Sequence, residues 1–533
     1  MTTESNKDIV QQLAQLAYAL SAEKDHDRLL LQIVDGCISL SNADGGSLYT
    51  LSEEDPNELR FHVLHNRSLA LHSKPGHLSS VLLRNSEGIE SKLVAVQTFL
   101  QQKTINVPDA YSCRHYDFSG TLAFDQQLNY HSKSFLSVPL QDHEGEIIGV
   151  LQLINAQDDR GNIIAFSPEQ ESLIESLASM AATVLTKQKL MDAQRILFES
   201  FIQMIGRAID HKSPVTGKHC EQVPEIAMML AESVNSTQEG VYADIHWTDA
   251  QMYELKIAAW MHDCGKITTP EAIIDKATKL HTLVDRIELV EGRFRERKQQ
   301  LEIERLRQQH SLSPAQAAEA QRIFEATCAQ LDEDLAFLKN ANKGGEFMIP
   351  AHQARVREIG LTEWTDINGE SRVMLSDDEI KNLCIAKGTL TNEERQIMRD
   401  HIKVTIDMLE SLPYPRPLSN VPEIACNHHE CLNGSGYPRG LKADELSLRA
   451  RIMCIADIFE ALTSADRPYK QGMKLSQAMT IMGRMVLDEH LDADLFALFA
   501  HSGTYKTYAA KHMSERQIDE VNLDSLPGLK AYG

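Results

Sequence analysis

The chain has 533 residues, of which 42% are hydrophobic and 24% are charged. This composition is typical of globular proteins, and the length is sufficient for two or three separate hydrophobic cores. The formal net charge of −23 at pH 7 excludes a broad contact with a nucleic-acid backbone, so we expect neither a DNA nor an RNA partner.

The start of the chain lacks the basic and then apolar segments of a signal peptide. No apolar run is long enough to span a bilayer, so we expect a cytoplasmic protein with no membrane contact. The nine cysteines are scattered without CxxC spacing, a pattern that favours reduced thiols over disulfides or a zinc ribbon.

Residues 1–167 combine helix and strand patterns and predict an α/β domain. Two amphipathic helical segments precede a turn predicted at Asp44, Gly45 and Gly46. Alternating apolar residues then predict strands at residues 47–51, 59–63, 135–140 and 147–154, with a turn at residues 142–145.

The hairpin of residues 135–154, followed by a long helix, resembles the end of a GAF domain, a small-molecule sensor fold. Some nucleotide-binding members of that family carry an Asn-Lys pair, a downstream Phe and an Asp-Glu pair. Asn155, Phe166 and Glu171 match three of these positions, whereas Ala156 and Gln170 replace the Lys and the Asp. The resemblance implies a sensor domain, and it leaves open either a small-molecule ligand or a purely structural or dimerising role.

Residues 168–210 continue as one long helical pattern whose apolar positions recur at alternating steps of four and three, as in a heptad repeat. Its members are Leu177, Ala181, Val184, Met191, Phe198, Ile202, Ile205 and Ile209. This predicted seam fits one side of a buried helix. It also fits a parallel two-stranded connector that joins a homodimer and transmits the state of the sensor, which is the interpretation we favour.

Residues 281–340 predict an antiparallel helical hairpin inserted into the C-terminal half. Apolar residues line a first helix and a returning helix, and Ser313, Pro314 and Gln316 form a capping box at the start of the second. The apolar positions are Leu283, Ile287, Val290, Phe294 and Leu301, then Phe324, Cys328, Leu331, Leu335 and Leu338. Residues 341–385 predict an irregular return.

Two motifs in the C-terminal half indicate metal chemistry. His262 and Asp263 end a helix whose preceding turns are apolar, and a buried His and Asp are costly unless a partner such as a metal satisfies them. His428 and His429 precede a glycine-rich loop whose backbone can approach a ligand closely.

Three further residues belong with these motifs. His219 lies in a helical stretch upstream. His401 lies in the helix opened by a Thr391–Glu394 capping box, and Asp457 lies in an apolar helical run, where an unpaired carboxylate would be costly.

Together these motifs resemble the HD-GYP family of the HD phosphohydrolase superfamily. The match covers most of residues 200–515, apart from the insertion, and we expect the domain itself over residues 211–515 and a C-terminal tail over residues 516–533. It implies a multidomain chain with an N-terminal α/β GAF domain, a long connector helix and a C-terminal all-α HD-GYP domain.

The resemblance also implies a metal site with two divalent ions. His219, His262, Asp263 and Asp457 match the ligands of one metal, and His401, His428 and His429 match those of a second, with Asp263 bridging. Val215 stands where some relatives bind a third metal through a Glu, so two metals are expected. Mixed imidazole and carboxylate ligation suits Fe or Mn, and the residue types leave Zn, Ni and Mg open.

The same resemblance implies catalytic roles for Asp263 and Lys266, with Lys266 contacting the scissile phosphate. Gly436, Tyr437 and Pro438 match a loop that shapes the substrate site or docks a partner such as a cyclic-dinucleotide synthase. Arg467 and Lys470 match residues that grip the substrate phosphates, and a solvated surface pair is the alternative for these two.

The function implied is hydrolysis of a cyclic dinucleotide, cyclic di-GMP first, to the linear dinucleotide under control of the GAF domain, and further hydrolysis to GMP is left open. Cyclic GMP-AMP is the alternative substrate, because no residue in the sequence separates guanine from adenine recognition. A non-catalytic receptor that acts by protein contact is an alternative of another class. The full set of expected ligands favours the enzyme.

Overall fold

The computed structural model describes residues 13–529, apart from residues 17, 21, 24, 53, 74–79, 213–217, 310–311, 346, 367 and 465–471. The chain divides into two compact units, residues 1–197 and residues 198–533, which are described in turn. All nine cysteines are free thiols, as the sequence predicts. None of the described helices combines the length and the apolar character that a bilayer span requires.

An antiparallel sheet forms the centre of the N-terminal unit, with strand order β3-β2-β1-β7-β6-β5, while β4 pairs with β2 and β8 with β7. The strands are β1 (Ala43–Leu51), β2 (Glu58–Asn66), β3 (Leu71–Ser73), β4 (Val81–Leu82), β5 (Ile105–Val107), β6 (Phe135–Gln141), β7 (Ile147–Gln157) and β8 (Ile163–Ile164). The helices are α1 (His26–Ser41), α2 (Val94–Gln101), α3 (Ser119–Leu128) and the start of α4 (Pro168–Lys212).

The four predicted strands are present, but the predicted turn at residues 44–46 is wrong, because these residues open strand β1. A Cβ atom on Gly46 would lie 2.9 Å from Leu153 and 3.2 Å from Ile38, so glycine lets helix α1 pack closely against the sheet. Asp44 is buried there and accepts hydrogen bonds from Ser68 and the hydroxyl of Tyr130.

The residues that match the nucleotide-binding GAF pattern stabilise the domain itself. Asn155 is buried in the left-handed conformation, where its side-chain oxygen accepts hydrogen bonds from two backbone amides and its amide donates to the carbonyl of His131 and the hydroxyl of Tyr130. Glu171 accepts a hydrogen bond from Asn106, and Phe166 is buried in the core. A ligand of this domain therefore stays a prediction.

The long helix α4 exists as predicted, but the apolar residues of the predicted seam are buried in two different hydrophobic cores, one at each end of the helix. Leu177 and Ala181 are buried in the core of the N-terminal unit, and Ile202 and Ile209 are buried in the core of the C-terminal unit. Met191, between them, is 60% exposed. The interpretation of the seam as an interchain face is therefore wrong at both ends of the helix.

A different set of apolar residues on α4 is exposed. Leu190, Leu197, Phe201 and Met204 are each more than half exposed in the single chain, at 59%, 56%, 52% and 57%. Their spacing of seven, four and three residues places them on one face of the helix. We call these four residues the exposed stripe.

The C-terminal unit is helical. Outside residues 281–385 its helices are α5 (His219–Ser236), α6 (Asp249–Met261), α7 (Glu271–Ile274), α12 (Asn392–Arg399), α13 (His401–Glu410), α14 (Val421–Cys426), α15 (Leu448–Thr463), α16 (Leu475–Leu487), α17 (Ala493–His501) and α18 (Thr504–His512). Short 3-10 helices connect some of them at Gly240–Tyr242, Cys264–Thr268, Arg416–Leu418 and Ala443–Glu445, and another at Leu523–Ser525 follows α18.

The insertion forms helices α8 (Ile287–Gln309) and α9 (Pro314–Asn342), an antiparallel pair joined by ion pairs such as Lys339–Glu291. The capping box at Ser313 is present. The prediction that Leu283 lines the first helix is wrong, because that helix begins at Ile287 and Leu283 is 92% exposed.

The prediction of an irregular return over residues 341–385 is also wrong. The segment contains α10 (Pro350–Gly360), a hairpin of β9 (Glu363–Thr365) and β10 (Ser371–Val373), and α11 (Asp377–Leu383). Val290 and Phe294 of α8, with Leu338 of α9, pack with this segment in a separate hydrophobic core. Short elements buried against the base of the hairpin give no long period in the sequence, which is why the pattern was irregular.

Candidate metal centre

The predicted ligands lie mainly at helix ends. His262 and Asp263 follow α6, His401 follows α12 and begins α13, and His428 and His429 follow α14. His219 is the first residue of α5, and Asp457 lies within α15. The capping box at Thr391 opens α12 alone, so the prediction that His401 shares that helix is wrong.

Helix ends suit histidine ligands because the last carbonyl groups of a helix have no partner within the helix. His262 Nδ1 lies 2.8 Å from the carbonyl oxygen of Ala259, and His428 Nδ1 lies 2.6 Å from that of Ala425. His401 makes the same contact with the carbonyl of Met398, at 2.5 Å. Each ring thus donates through Nδ1–H, and its Nε2 lone pair points into the site.

His219 is held differently, by a carboxylate. Its Nδ1 donates to Glu460, which lies three residues after Asp457 on α15 and is 2% exposed. The sequence analysis missed Glu460. Its signal was a second carboxylate at the next helical turn of the same apolar run.

Asp263 lies between two groups of histidines. Its Oδ2 is 3.1 Å from His219 Nε2 and 3.3 Å from His262 Nε2. Its Oδ1 is 3.2 Å from His401 Nε2 and 3.8 Å from His428 Nε2. One carboxylate therefore presents one oxygen to each group, which is the arrangement expected of a ligand that bridges two metal ions.

Several potential metal-ligand atoms in this site make no hydrogen bond with a described residue. They are Asp263 Oδ1, His401 Nε2 and His428 Nε2, and all three are buried. Unpaired buried polar atoms are costly, and a cation satisfies imidazole and carboxylate donors together. The ligand atoms of Asp263, His401, His428 and His429 lie within 4.8 Å of one another, as do those of His219, His262 and Asp263. Both sets fit a metal ion.

The charges of the site are strongly coupled. Burial alone lowers the pKa of His219, but the carboxylates of Glu460, Asp263 and Asp457 reverse this and raise it well above its usual value. Burial lowers the pKa of His429 to about 4. Burial and the neighbouring rings of His429 and His262 hold the pKa of His428 well below its usual value. Two of the histidines are thus kept neutral, the form that binds metal.

Asp457 lies opposite Asp263, with Oδ1 3.3 Å from His219 Nε2 and Oδ2 4.0 Å from His429 Nδ1. Burial opposes its ionisation, yet the hydrogen bond with His219 and the nearby imidazoles lower its pKa below the usual value. Asp457 is therefore a carboxylate in this site.

Lys266 supplies a positive charge beside the histidines. Its Nζ donates to Asp263, and although burial opposes protonation, the carboxylates of Asp263 and Asp457 raise its pKa. The preceding Gly265 allows this placement, because a Cβ atom there would lie 2.0 Å from the carbonyl oxygen of His401.

A pocket of about 230 Å³ opens on these residues. It is lined by His219, Lys266, Met398, His401, His429, Tyr437, Asp457, Glu460, Ala461 and Ser464. Of the predicted loop residues Gly436, Tyr437 and Pro438, Tyr437 lines the pocket and the other two do not. The Tyr437 ring stacks on that of His429 at 4.8 Å, and the guanidinium carbon of Arg399 lies 5.1 Å from its centroid.

The glycine-rich loop is held by polar side chains, of which Glu430 is buried. Glu430 accepts hydrogen bonds from the backbone amides of Arg439 and Leu441. Asn433 donates to the carbonyl of Asp488 and accepts from the amide of Ser435. A Cβ atom on Gly436 would lie 2.4 Å from the amide nitrogen of Cys431, so only glycine permits this backbone approach.

Family models match three stretches of the chain. The model of the GAF domain matches residues 25–185, and two models of the HD domain match residues 216–341 and 376–495. The chain carries a GAF domain followed by an HD domain. His219, His262 and Asp263 lie in the first HD stretch, while His401, His428, His429 and Asp457 lie in the second.

Curated relatives and solved structures share parts of this chain. It is 51% identical over 78 residues to the 3'3'-cGAMP-specific phosphodiesterase 1 of Vibrio cholerae, and this match covers 15% of this chain and 18% of the relative. It is 32% identical over 167 residues to a cyclic di-GMP phosphodiesterase of Pseudomonas aeruginosa, 31% of this chain and 38% of the relative. The matches thus span less than half the length of these relatives.

The solved GAF domain of an Acinetobacter phosphoenolpyruvate-protein phosphotransferase is 17% identical, with a TM-score of 0.27. The match covers 35% of this chain and 97% of that domain.

The predicted site residues divide into two groups. The seven predicted ligands and Lys266 lie together in the HD domain around one pocket. Val215, Arg467 and Lys470 lie outside the described residues, so the predicted absence of a third metal and the predicted phosphate contacts stay predictions. The sequence analysis did not single out Glu460, Met398 or Arg399.

Proposed function

We propose that the HD domain is a metal-dependent phosphodiesterase of the HD-GYP type that hydrolyses a cyclic dinucleotide to the linear form. The observation that supports this most directly is the carboxylate of Asp263, whose two oxygens each face a separate group of histidines. The names of the curated relatives support a cyclic dinucleotide as the substrate class.

The metal ions have assigned places in this proposal. His219, His262, Asp263 and Asp457 would hold one ion, and His401, His428, His429 and Asp263 would hold the other. Two divalent cations at such a site lower the pKa of a bound water and neutralise charge on a phosphate. The mixed nitrogen and oxygen donors suit Fe or Mn.

The chain's own groups bind and orient the substrate. Lys266 forms an ion pair with Asp263, and its side chain, 18% exposed, lines the pocket, so it can contact a phosphate oxygen. Tyr437 stacks on His429 and so presents its ring at the pocket wall, where an apolar face suits a base or ribose. Glu460 fixes the ring of His219 with its Nε2 facing the site.

Cyclic di-GMP is the first substrate we propose, and 3'3'-cGAMP is the second, because relatives of both names share segments with this chain. A receptor that binds without hydrolysis is less well supported, since the described ligand set is complete. We also propose that the protein acts in the cytoplasm and that the GAF domain regulates it. Ser137 Oγ and Thr98 Oγ1, buried where α2 packs on the sheet, make no hydrogen bond with a described residue, and a small-molecule ligand would satisfy them.

We further propose a homodimer that pairs the exposed stripe of α4 with the same stripe of a second copy. The loop of residues 436–438 is the proposed docking site for a cyclic-dinucleotide synthase.

Purified protein loaded with Mn²⁺ or with Fe²⁺ tests the proposed activity. It is incubated with cyclic di-GMP, 3'3'-cGAMP and cyclic di-AMP, and linear dinucleotide and mononucleotide products are separated by chromatography. Turnover of cyclic di-GMP or 3'3'-cGAMP that a chelator abolishes supports the proposal. A metal-loaded, folded protein that binds one of the three dinucleotides but hydrolyses none of them would refute the proposed activity and support the non-catalytic receptor.

A further inference from the structure

The last turns of the connector helix α4 contact three elements that carry the metal site. Gly206 packs on α6 and α5, where a Cβ atom would lie 3.0 Å from the ring of Trp260 and 3.4 Å from Cβ of Cys220. Trp260 precedes His262 by two residues, and Cys220 follows His219. The neighbouring Ile202 and Ile209 are buried in the same core. This end of α4 is thus part of the HD domain's packing.

Asp210 caps the helix that begins with His219. Its carboxylate accepts hydrogen bonds from the backbone amide of Cys220, at 3.2 Å and 3.4 Å to its two oxygens. The N-cap residue of α5, Lys218, makes no capping bond through its side chain, so a carboxylate from another helix takes that place. Asp210 is 6% exposed, and among the described residues only Cys220 donates a hydrogen bond to it, so burial of this carboxylate is costly and argues for a role in geometry.

Lys212 holds the other side of the site. Its Nζ donates to the carbonyl of Ile267 and, at 2.7 Å, to that of Thr269. These carbonyls end the 3-10 helix Cys264–Thr268, which follows Asp263 directly and contains Lys266. Two side chains separated by one residue therefore connect α4 to both sides of the pocket.

We propose that Asp210 and Lys212 are positioning residues, which act through His219 and through the Asp263–Lys266 segment to set the geometry of the metal site. The roles of those partners rest on the proposed function. Because both residues lie on the helix that continues from the GAF domain, a shift of α4 along or about its axis moves the two sides of the site together.

The test is a Mn²⁺ titration of the full chain by calorimetry, with folding checked by circular dichroism. Asp210→Ala removes the cap, and we expect Mn²⁺ binding weaker by about tenfold or more, the range known for groups that orient ligands. Asp210→Asn keeps an oxygen acceptor and stays within about twofold of wild type. Lys212→Met weakens binding severalfold, and Lys212→Arg restores most of it.

Arg207→Gln is the matched control, because Arg207 lies on the same turns of α4 but pairs with Glu221 at an exposed position. Wild-type affinity in both Asp210→Ala and Lys212→Met overturns the proposal. So does an Asp210→Asn variant as weak as Asp210→Ala, since the acceptor would then be irrelevant. The titration needs no substrate, so a wild type that binds Mn²⁺ without turning over a cyclic dinucleotide refutes the proposed function alone.

Discussion

His219 Nε2 and His262 Nε2 lie 3.2 Å apart in the buried core of the HD domain. The Nδ1 atom of each ring already has an acceptor, Glu460 for His219 and the carbonyl of Ala259 for His262. Two lone pairs at this separation would repel, so the contact requires a positive charge, either a proton, which the raised pKa of His219 permits, or a metal ion. A metal ion at this point satisfies both rings and the nearby carboxylates of Asp263 and Asp457 at once.

Asp263→Ala tests the bridging carboxylate. We expect wild-type protein to hold two metal ions per chain by elemental analysis, and the variant to lose metal and turnover. The rate loss should exceed the roughly 10- to 100-fold typical of groups that only orient a ligand. Asp249→Ala, at the exposed start of the same helix α6, is the control and should keep both. Three metal equivalents in wild type would contradict the two-metal prediction.

Glu460→Gln tests the orientation of His219. A glutamine keeps a hydrogen-bond acceptor but removes the charge that makes the Nδ1–H bond strong, so metal affinity should fall by about tenfold. Glu460→Ala should weaken it further. Competition with a chelator measures both, and Glu225→Gln, on the surface of α5, should behave as wild type. Equal affinities in all four proteins would show that His219 needs no orienting group.

The exposed stripe of α4 predicts which variants dissociate a homodimer. Leu197→Glu and Phe201→Glu place charge on the apolar face and should convert a dimer to a monomer at micromolar concentration, as seen by light scattering. Met191→Glu is the control, since Met191 is equally exposed but lies about 100° away around the helix. A wild-type chain that is monomeric under the same conditions would refute the dimer itself.

The pH dependence of stability should change in Asp210→Asn. Burial raises the pKa of Asp210 from 3.8 to about 6 in the folded chain. The folded state then binds more protons than the unfolded state between these values, so this group lowers stability as pH rises from about 4 to about 6. The variant lacks that loss, so its advantage in melting temperature should grow over this window and level off above it.

Thermal unfolding at several pH values, in the presence of a chelator so that metal binding adds no pH dependence, measures this difference. A constant gap between the two proteins would mean that Asp210 titrates normally.

Shortening the inserted hairpin distinguishes the role of its outer part from that of its inner part. Replacing residues 302–328 with a short Gly/Ser linker removes the outer part, where Arg305 packs over Phe324, and keeps the core of Val290, Phe294 and Leu338. We expect a folded, metal-loaded protein with unchanged turnover. Replacing residues 281–340 removes that core and should destabilise the domain. Altered turnover with the shorter replacement would instead assign a gating role to the outer hairpin.

In the sequence, His and Asp residues in apolar surroundings indicated a need for a partner. The resemblance to the HD-GYP family then assigned them as ligands of two metals. The sequence did not reveal Glu460, whose partner His219 lies 241 residues away along the chain. The heptad on α4 was detected correctly as a periodicity. A helix that packs on two different cores shows the same period as one that pairs with a second chain, so the pattern alone chose the wrong partner for Leu177 and Ile209. At residues 44–46 the glycines indicated a turn, although they serve close packing within a strand.

The ligands of the metal site extend from residue 219 to residue 457, and they come from helices that are far apart in the chain. Such a site forms late in folding, since closing loops of this length costs entropy before any contact compensates. A bound ion would connect helices that are distant along the chain and so favour the folded state of the HD domain. If the site binds metal as proposed, we expect metal supply to change the amount of folded protein as well as its turnover.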